Sequence, residues 1–334
     1  EQQLAQAIWF KPGAQGLDCS FSAPETGPTP LTMLARSQLL PGFIVAICAW
    51  CGGALRAMEE HPPLDTPFRN VLLVVHCRTS DEHICRQREP LFRGYKRFFP
   101  DVMYITTRDC PRHGTDPHRC LADIMEGRAA RRDGIFYMHF DALIRPRRLA
   151  VGFDTSSLAS FHGDRRCRIN QGGDQVGCSW DGWHAHTTGQ RFQDAVQELR
   201  MKSADFRRLD NRHFYLGVDD LFYLPRSAFP MYATLVEPFH RRTVHKEMTG
   251  PTIRHFLQVL TGANLVNLAC TGGCCDEVEH KVLLRADFRC GHPIRLMRAN
   301  VTRVVPEAIS MFRQVEASDP PLDVLSQLVD EALA

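Results

Sequence analysis

Apolar runs alternate with helix-like segments through the middle of the chain. Residues 71–75 and 134–138 are continuous apolar runs, and residues 102–106 form a third strand-like segment between them. Residues 82–99 and 120–131 have the spacing of amphipathic helices. Strands that alternate with helices predict an α/β fold, in which a mostly parallel sheet has helices on both faces.

The pattern changes in the second half of the chain. Between about residues 152 and 194 the composition turns to Gly, Asp, Cys, Trp and His with little apolar periodicity. This predicts a long surface insertion that covers a binding site. Regular structure returns with a predicted strand at residues 221–224. A helix is predicted at residues 251–262, with Pro251 in its first turn.

The two ends of the chain differ from this middle part. Residues 1–67 contain many prolines and glycines, and we expect them to form an extension that wraps around a domain at residues 68–315. Residues 316–334 are expected to form a C-terminal helix or tail.

Residues 37–55 carry no charge, but prolines and glycines divide them into pieces shorter than the roughly 20 residues of a membrane-spanning helix. A buried element is therefore predicted there.

Composition and charge limit the kinds of binding partner that we expect. The chain has 334 residues, of which 44% are hydrophobic, and this is enough to bury a large core. Its 40 basic and 38 acidic side chains are mixed along the sequence and give a net charge of +2. No strong field attracts nucleic acid or a membrane surface. We therefore expect no nucleic-acid partner, and a membrane contact only through an N-terminal anchor removed from the chain that starts at Glu1.

Thirteen cysteines are more than a reduced cytosolic protein usually carries. They predict disulfides and an oxidising compartment. Cys110 and Cys120 bracket a polar loop and are a candidate pair, whereas Cys77 lies in an apolar strand and is the candidate for the thiol that an odd total leaves unpaired. The alternatives are a set of buried free thiols or a zinc site, for which four sulfurs are available: Cys270, Cys274, Cys275 and Cys290.

Asp141 is the residue that most clearly indicates chemistry. It follows the predicted strand at residues 134–138, and a parallel sheet binds its ligands at the carboxyl ends of its strands. A carboxylate there can hold a hard divalent cation. The alternative is an aspartate that only caps the turn before Pro146.

The segment from Asp133 to Asp141, DGIFYMHFD, continues as ALIRP and resembles the DxD segment of GT-A glycosyltransferases. His139 stands where that motif has its first acidic residue, so the motif is degenerate here. The resemblance implies a Rossmann-like GT-A fold and transfer of a sugar from a UDP- or GDP-sugar to a glycan or glycoprotein. It also implies assistance by Mn²⁺ or another divalent metal, and a type II membrane protein of the Golgi or endoplasmic reticulum lumen.

The same resemblance suggests which residues bind the donor and the metal. Val74 to Thr79 resemble the first strand of a GT-A domain and its nucleotide-binding loop. Arg78 and Thr79 are therefore expected to bind the donor; the alternative is an ordinary surface loop. His139, Phe140 and Asp141 are expected to complete the nucleotide-sugar site. His139 could also ligate the metal, or it could simply be buried and hydrogen-bonded.

Two later segments extend the resemblance to a catalytic base and a third metal ligand. HKEMTGPTI, residues 245–253, resembles the segment that carries the acidic catalytic residue of GT-A enzymes, which points to Glu247. Glu247 would act as a base in an inverting reaction, or would stabilise positive charge on the sugar in a retaining one. The structural alternative for Glu247 is a charge that stabilises a helix N-terminus. CGHPI, residues 290–294, resembles the late segment that returns a histidine to the metal, which points to His292. The alternative for His292 is an ordinary loop histidine.

Candidates for acceptor binding are weaker. Residues 217–225 resemble the strand beside the acceptor cleft, which points to Asp219 and Asp220, although such a pair also begins strands without any chemical role. Trp180 and Trp183 could stack on an acceptor sugar or fill the base of a loop.

Two other functional classes stay open. One is a carbohydrate-binding or scaffold protein that has lost the activity together with the first acidic position of the motif. The other is a zinc-dependent hydrolase that uses the many His and Cys residues.

Overall fold

The computed structural model describes residues 65–77, 82, 85–86, 92, 94–106, 109, 117–178, 187–273, 278, 280–283 and 285–294. The strands are β1 (Val71–Cys77), β2 (Asp101–Thr106), β3 (Gly134–His139), β4 (Leu143–Ile144), β5 (Leu158–Ser160), β6 (Arg165–Ile169), β7 (Gln175–Val176), β8 (His213–Leu216), β9 (Leu221–Pro225), β10 (Leu265–Asn267), β11 (Thr271–Gly272) and β12 (Cys290–His292). The helices are α1 (Pro117–Glu126), α2 (Pro146–Ala150), α3 (Thr187–Lys202), α4 (Phe229–Arg241), α5 (Lys246–Thr261) and α6 (His280–Leu283).

A six-stranded sheet forms the centre of the fold, in the order β10-β5-β9-β3-β1-β2. Five strands run in one direction, and β9 runs antiparallel between β3 and β5. The fold is therefore mixed α/β with a mostly parallel central sheet, which is compatible with a Rossmann-like fold. This confirms the predicted sheet type.

Alternate residues of β1 enter two different cores. Leu72 and Val74 pack in a cluster with residues of α1, α3, α4 and α5. Leu73 and Val75 pack in a second cluster, together with residues of α2. Successive side chains of a strand point to opposite faces, so a strand buried on both faces must be apolar throughout. This explains the continuous apolar runs from which β1 and β3 were predicted.

Two predicted elements differ from the structure, one in where it begins and the other in its role. Helix α5 begins at Lys246, five residues before Pro251, because the ring of His245 accepts a hydrogen bond from the Glu247 N–H and caps the helix there. The predicted insertion at residues 152–194 is wrong in part. It includes β5, whose three residues are buried in the central sheet, and β6 and β7, which form a small sheet with β8.

The cysteines that the structure describes are disulfide-bonded, as predicted. Disulfides join Cys77 to Cys85, Cys167 to Cys178 and Cys270 to Cys290. The free thiol predicted at Cys77 is therefore wrong, because this residue ends β1 and can reach the following segment.

The other two cysteine predictions have different outcomes. The four-sulfur zinc site is also wrong, since Cys270 and Cys290 are bonded to each other. Cys120 is disulfide-bonded as well, whereas its predicted partner, Cys110, lies outside the described residues. Disulfides of this number are typical of an oxidising, secretory or extracellular environment.

Several predictions concern residues outside the described ranges. These include the extension up to residue 64, the buried element at 37–55, the C-terminal segment at 316–334 and part of the helix at 82–99. Among the described helices, none combines the length and the apolar character that a membrane crossing requires.

Gly134 provides a test of the central packing. A Cβ atom at this position would lie 2.3 Å from the hydroxyl oxygen of Tyr223 and 2.6 Å from the carbonyl oxygen of Leu224. We expect Gly134→Ala to lower the free energy of unfolding by about 1–3 kcal/mol in urea denaturation, since a packed core has no room for the methyl group. The control is Gly163→Ala, whose Cβ would lie 3.9 Å from the nearest atom, on Asn267. Equal stability of the two variants would contradict this packing.

Candidate metal centre

His139, Asp141 and His292 converge at the carboxyl edge of the central sheet. Nδ1 of His139 lies 2.5 Å from Oδ1 of Asp141, and Nε2 of His292 lies 3.1 Å from the same oxygen. Each residue offers one ligand atom, and the three atoms lie within 4.8 Å of one another. Both histidines are buried, while the side chain of Asp141 keeps 22% of its surface exposed. The cluster can therefore be reached from solvent through Asp141.

Strand pairing brings His292 to Asp141 across 151 positions of the chain. β4 follows Asp141 directly and pairs antiparallel with β12, and the N–H of Ile294 donates to the carbonyl oxygen of Asp141 at 2.8 Å. On its other side, β12 pairs with β11, where Gly272 has a φ of 99°. A Cβ at Gly272 would lie 2.1 Å from the carbonyl oxygen of His292. Only glycine readily adopts this positive φ and also lets the backbone of β11 come so close to the carbonyl oxygen of His292.

The ring of His292 is oriented by a second contact. Its Nδ1 lies 3.2 Å from the carbonyl oxygen of Gly273, which can only accept, so Nδ1 carries the proton and Nε2 faces Asp141. Metal-ligating histidines usually have this arrangement, because a fixed partner on one ring nitrogen holds the other toward the ion.

The charge of Asp141 suits a cation, whereas His292 must lose the ring proton on Nε2 before it can ligate one. Burial acts to raise the pKa of Asp141, but hydrogen bonds from His139 and His292 outweigh it and hold that pKa well below its usual range. Burial acts to lower the pKa of His292, but contacts with Asp141 and Asp220 outweigh it and raise that pKa. Asp141 is therefore an ionised ligand.

The donor set fits a divalent metal. Nε2 of His139 is buried and, among the described residues, has no hydrogen-bond partner, which is costly unless something binds it. Two imidazoles and one carboxylate favour zinc, iron or another metal that imidazole suits over magnesium or calcium. Bonds of about 2.1 Å allow two ligands of one ion to lie up to about 4.2 Å apart, and the three candidate ligand atoms lie within 4.8 Å of one another.

Asp219 and Asp220 are adjacent in sequence but face different surroundings. Oδ1 of Asp220 lies 3.1 Å from the ammonium of Lys246, and Oδ2 lies 3.6 Å from Nε2 of His292. Asp220 therefore lies at the edge of the candidate metal centre, next to His292. Asp219 is fully buried, and Nη1 of Arg254 donates to its Oδ1 at 2.6 Å. The structure thus separates two residues that were predicted together as acceptor ligands.

Glu247 follows Lys246, the residue that contacts Asp220. It is the second residue of α5 and is half-buried, directly after Lys246, whose side chain reaches Asp220. The N-terminus of α5 therefore carries two adjacent residues of opposite charge, and the side chain of Lys246 contacts Asp220. The predicted role of Glu247 as a base stays a prediction.

Phe140 was predicted at the nucleotide-sugar site. Its ring is 7% exposed and lies in the core cluster that also contains Met138, with its centroid 4.6 Å from that of His139. The remaining predicted site residues, Arg78, Thr79, Trp180 and Trp183, lie outside the described residues.

His76 and Lys246 were missed by the sequence reasoning. His76 is opposite His139 in the register of β1 and β3, and the two ring centroids are 5.7 Å apart. Nδ1 of His76 lies 2.8 Å from the hydroxyl of Tyr137. The signal was present, because His76 lies near the end of β1 as His139 does at the end of β3. Lys246 carried no comparable signal.

Neither a protein-family model nor a curated protein matches this sequence. The functional assignment of the protein therefore rests on the geometry of the cluster and on the short motifs described above.

The Cys270–Cys290 disulfide is expected to support metal binding. It joins the first residue of β12 to the segment before β11, and both strands position His292. We expect the double variant Cys270→Ser/Cys290→Ser to bind Mn²⁺ about tenfold more weakly by calorimetry, at a temperature where it remains folded, since supports of metal ligands have effects of this size.

The matched control is Cys167→Ser/Cys178→Ser, which removes a disulfide of the small sheet formed by β6, β7 and β8. This variant is expected to lose stability while keeping its affinity for Mn²⁺. Equal losses of affinity in the two double variants would show that the Cys270–Cys290 bond has no specific role.

Proposed function

We propose that the protein is a metal-assisted glycosyltransferase of the GT-A kind, which transfers a sugar from a UDP- or GDP-sugar to a glycan or glycoprotein in the Golgi or endoplasmic reticulum lumen. The observation that carries the proposal is the convergence of His139, Asp141 and His292 at the carboxyl edge of a mostly parallel sheet. This is the edge where such sheets bind nucleotides. The degenerate DxD segment and the disulfides support the same assignment.

His139, Asp141 and His292 would hold the metal. A bound divalent cation would neutralise the charge of the diphosphate leaving group. Lys246, whose side chain is 28% exposed beside Asp220, would add a positive charge next to the same group. The proposed donor therefore meets positive charge where its negative charge develops.

Glu247 is the proposed base. Its carboxylate takes the proton from the acceptor hydroxyl as that oxygen forms a bond to the anomeric carbon of the donor sugar. The bond from the anomeric carbon to the diphosphate oxygen breaks at the same time, and the nucleoside diphosphate leaves with the bonding electrons. Glu247 lies on a helix that is anchored to the core by Arg254, which holds the base in place.

A donor-hydrolysis screen tests the proposal without knowledge of the acceptor. The protein would be incubated with Mn²⁺ and a panel of UDP- and GDP-sugars, and release of the nucleoside diphosphate would be measured by chromatography. We expect one donor class to be hydrolysed, and the activity to disappear with EDTA. Absence of both hydrolysis and nucleotide binding by calorimetry would refute the proposal, and glycan binding without either would favour the scaffold alternative.

One observation favours a second candidate, a zinc-dependent hydrolase. Two histidines and one carboxylate with solvent access through Asp141 also form the ligand set of many catalytic zinc sites. Stoichiometric zinc in the purified protein, together with cleavage of ester or amide substrates, would support this candidate over glycosyl transfer.

A further inference from the structure

A second polar cluster lies in the core behind the metal centre. It consists of Asp164, Asp219, Arg254, His118 and His255. The side chains of Asp164, Asp219 and Arg254 are at most 2% exposed, and that of His118 is fully buried. None of these residues belongs to the metal centre. A cluster of buried ionisable groups is costly to assemble, and apolar residues of the same size often stabilise a fold equally well.

The cluster is closely connected. Nη1 of Arg254 donates to Asp219 at 2.6 Å, and Nη2 lies 3.7 Å from Oδ1 of Asp164. Nε2 of His118 lies 2.6 Å from Oδ2 of Asp219, and its Nδ1 lies 2.7 Å from the hydroxyl of Tyr232. The two oxygens of Asp219 therefore contact two different elements, α5 and α1. Its carboxylate has little freedom to turn.

Two glycines, Gly250 and Gly217, leave space for the carboxylates of Asp219 and Asp164. A Cβ at Gly250 would lie 2.0 Å from Oδ1 of Asp219, and a Cβ at Gly217 would lie 2.2 Å from Oδ1 of Asp164. Neither glycine has a positive φ, so each is needed for space and not for its conformation. The carboxylates thus occupy positions that any larger residue at these two sites would disturb.

The segment that carries Asp219 is attached to α5 at several points. Asp219 binds Arg254, and the next residue, Asp220, binds Lys246. These two cations are eight residues, or about 12 Å, apart along the helix, so they hold the segment at two separate points.

A further attachment involves the backbone. The N–H of Gly217 donates to the carbonyl oxygen of Glu247 at 3.4 Å. That carbonyl is available because Pro251, four residues later, has no N–H to donate within the helix. The proline in α5 therefore contributes to the connection between the helix and the segment that ends in Asp220.

We propose that Asp219 is a positioning residue for the metal centre: held by Arg254 and His118, it fixes the neighbouring Asp220 against His292 and Lys246. The proposal rests on the proposed function only in assuming that His139, Asp141 and His292 bind a metal. Asp219 itself touches neither metal nor substrate. It acts through Asp220, whose carboxylate would otherwise be free to leave Nε2 of His292.

The test compares Asp219→Asn with Asp164→Asn. Both variants remove one carboxylate charge from the same buried cluster and the same arginine, but only Asp219 is adjacent to Asp220. We expect Asp219→Asn to raise the Kd for Mn²⁺ about tenfold, in the range found for supports of metal ligands, and Asp164→Asn to change it less than twofold. Calorimetry would be performed on full-length protein at a temperature where circular dichroism shows both variants folded.

A spectroscopic measurement separates positioning from general loss of stability. The visible absorption of bound Co²⁺ reports coordination geometry, and it should change in Asp219→Asn but not in Asp164→Asn. If Asp219→Asn does not fold, Gly250→Ala displaces the same carboxylate without removing any charge and should give the same changes.

The outcomes are distinct. Equal affinities for Mn²⁺ in the two asparagine variants, or unchanged Co²⁺ spectra in both, would overturn the positioning role, as would wild-type protein that binds neither ion. Wild-type protein that binds Mn²⁺ but neither hydrolyses nor binds a nucleotide sugar would refute glycosyl transfer only, and the comparison of the variants would still decide the role of Asp219.

Discussion

Asp141→Asn is expected to weaken Mn²⁺ binding by more than about 100-fold, since loss of a ligand should exceed the 10- to 100-fold effects of residues that only support ligands. Asp141 is the one carboxylate of the three candidate ligands, and both histidines contact its Oδ1. An asparagine keeps the size but removes the charge that a divalent cation requires. Nucleotide-sugar binding in the presence of metal should be lost as well.

Thermal unfolding provides a convenient measurement. A metal present at 100 times its Kd stabilises the folded state by about 2.7 kcal/mol, so Mn²⁺ should raise the Tm of the wild-type protein and leave that of Asp141→Asn unchanged. The control is Asp133→Asn at the other end of β3, where the aspartate is exposed and accepts a hydrogen bond from Asn70. An equal Mn²⁺-induced shift in Asp141→Asn and wild type would remove Asp141 from the metal centre.

Glu247→Gln is expected to lower kcat for glycosyl transfer by about 10²- to 10⁴-fold, the usual contribution of a general base. Glutamine cannot take the proton from the acceptor hydroxyl. Binding of Mn²⁺ and of the nucleotide sugar should stay within about twofold of wild type, because Glu247 is not among the three convergent ligands. The measurement is steady-state kinetics with the donor found in the screen, together with calorimetry of donor binding.

The matched control for Glu247 is Glu237→Gln, on helix α4. Glu237 is partly exposed and pairs with Arg119 and Arg241. This variant should retain turnover. If Glu247→Gln also retained turnover while Asp141→Asn lost it, the metal centre would stand and the base would have to be sought elsewhere.

Sequence reasoning placed Asp141 and His139 correctly at the end of a buried strand. The signal is local: an apolar run marks β3, and the polar residues directly after it mark the edge where the strand leaves the core. His292 was also a candidate, but only through resemblance to a known motif. Its distance from Asp141 is decided by the pairing of β12 with β4, and no local pattern encodes that pairing.

Other assignments depended on information that neighbouring residues do not contain. Cys77 was predicted to be free because it lies in an apolar strand, yet it is bonded to Cys85. Pro251 indicated a helix start, because proline is favoured there, but the cap at His245 begins the helix earlier. In both cases a second residue, some distance along the chain, decides the outcome.

Asp219 and Asp220 show most clearly what the sequence determines and what the tertiary structure determines. By itself the sequence determined the type of fold, the strand that ends at the metal centre and the presence of two adjacent carboxylates before β9. Only the tertiary structure decided that Asp219 binds Arg254 in the core while Asp220 meets Lys246 and His292 at the site. The physical reason is the distance along the chain between residues in contact. Hydrophobic periodicity reflects contacts within one element, whereas the environment of a side chain depends on which distant elements pack against it.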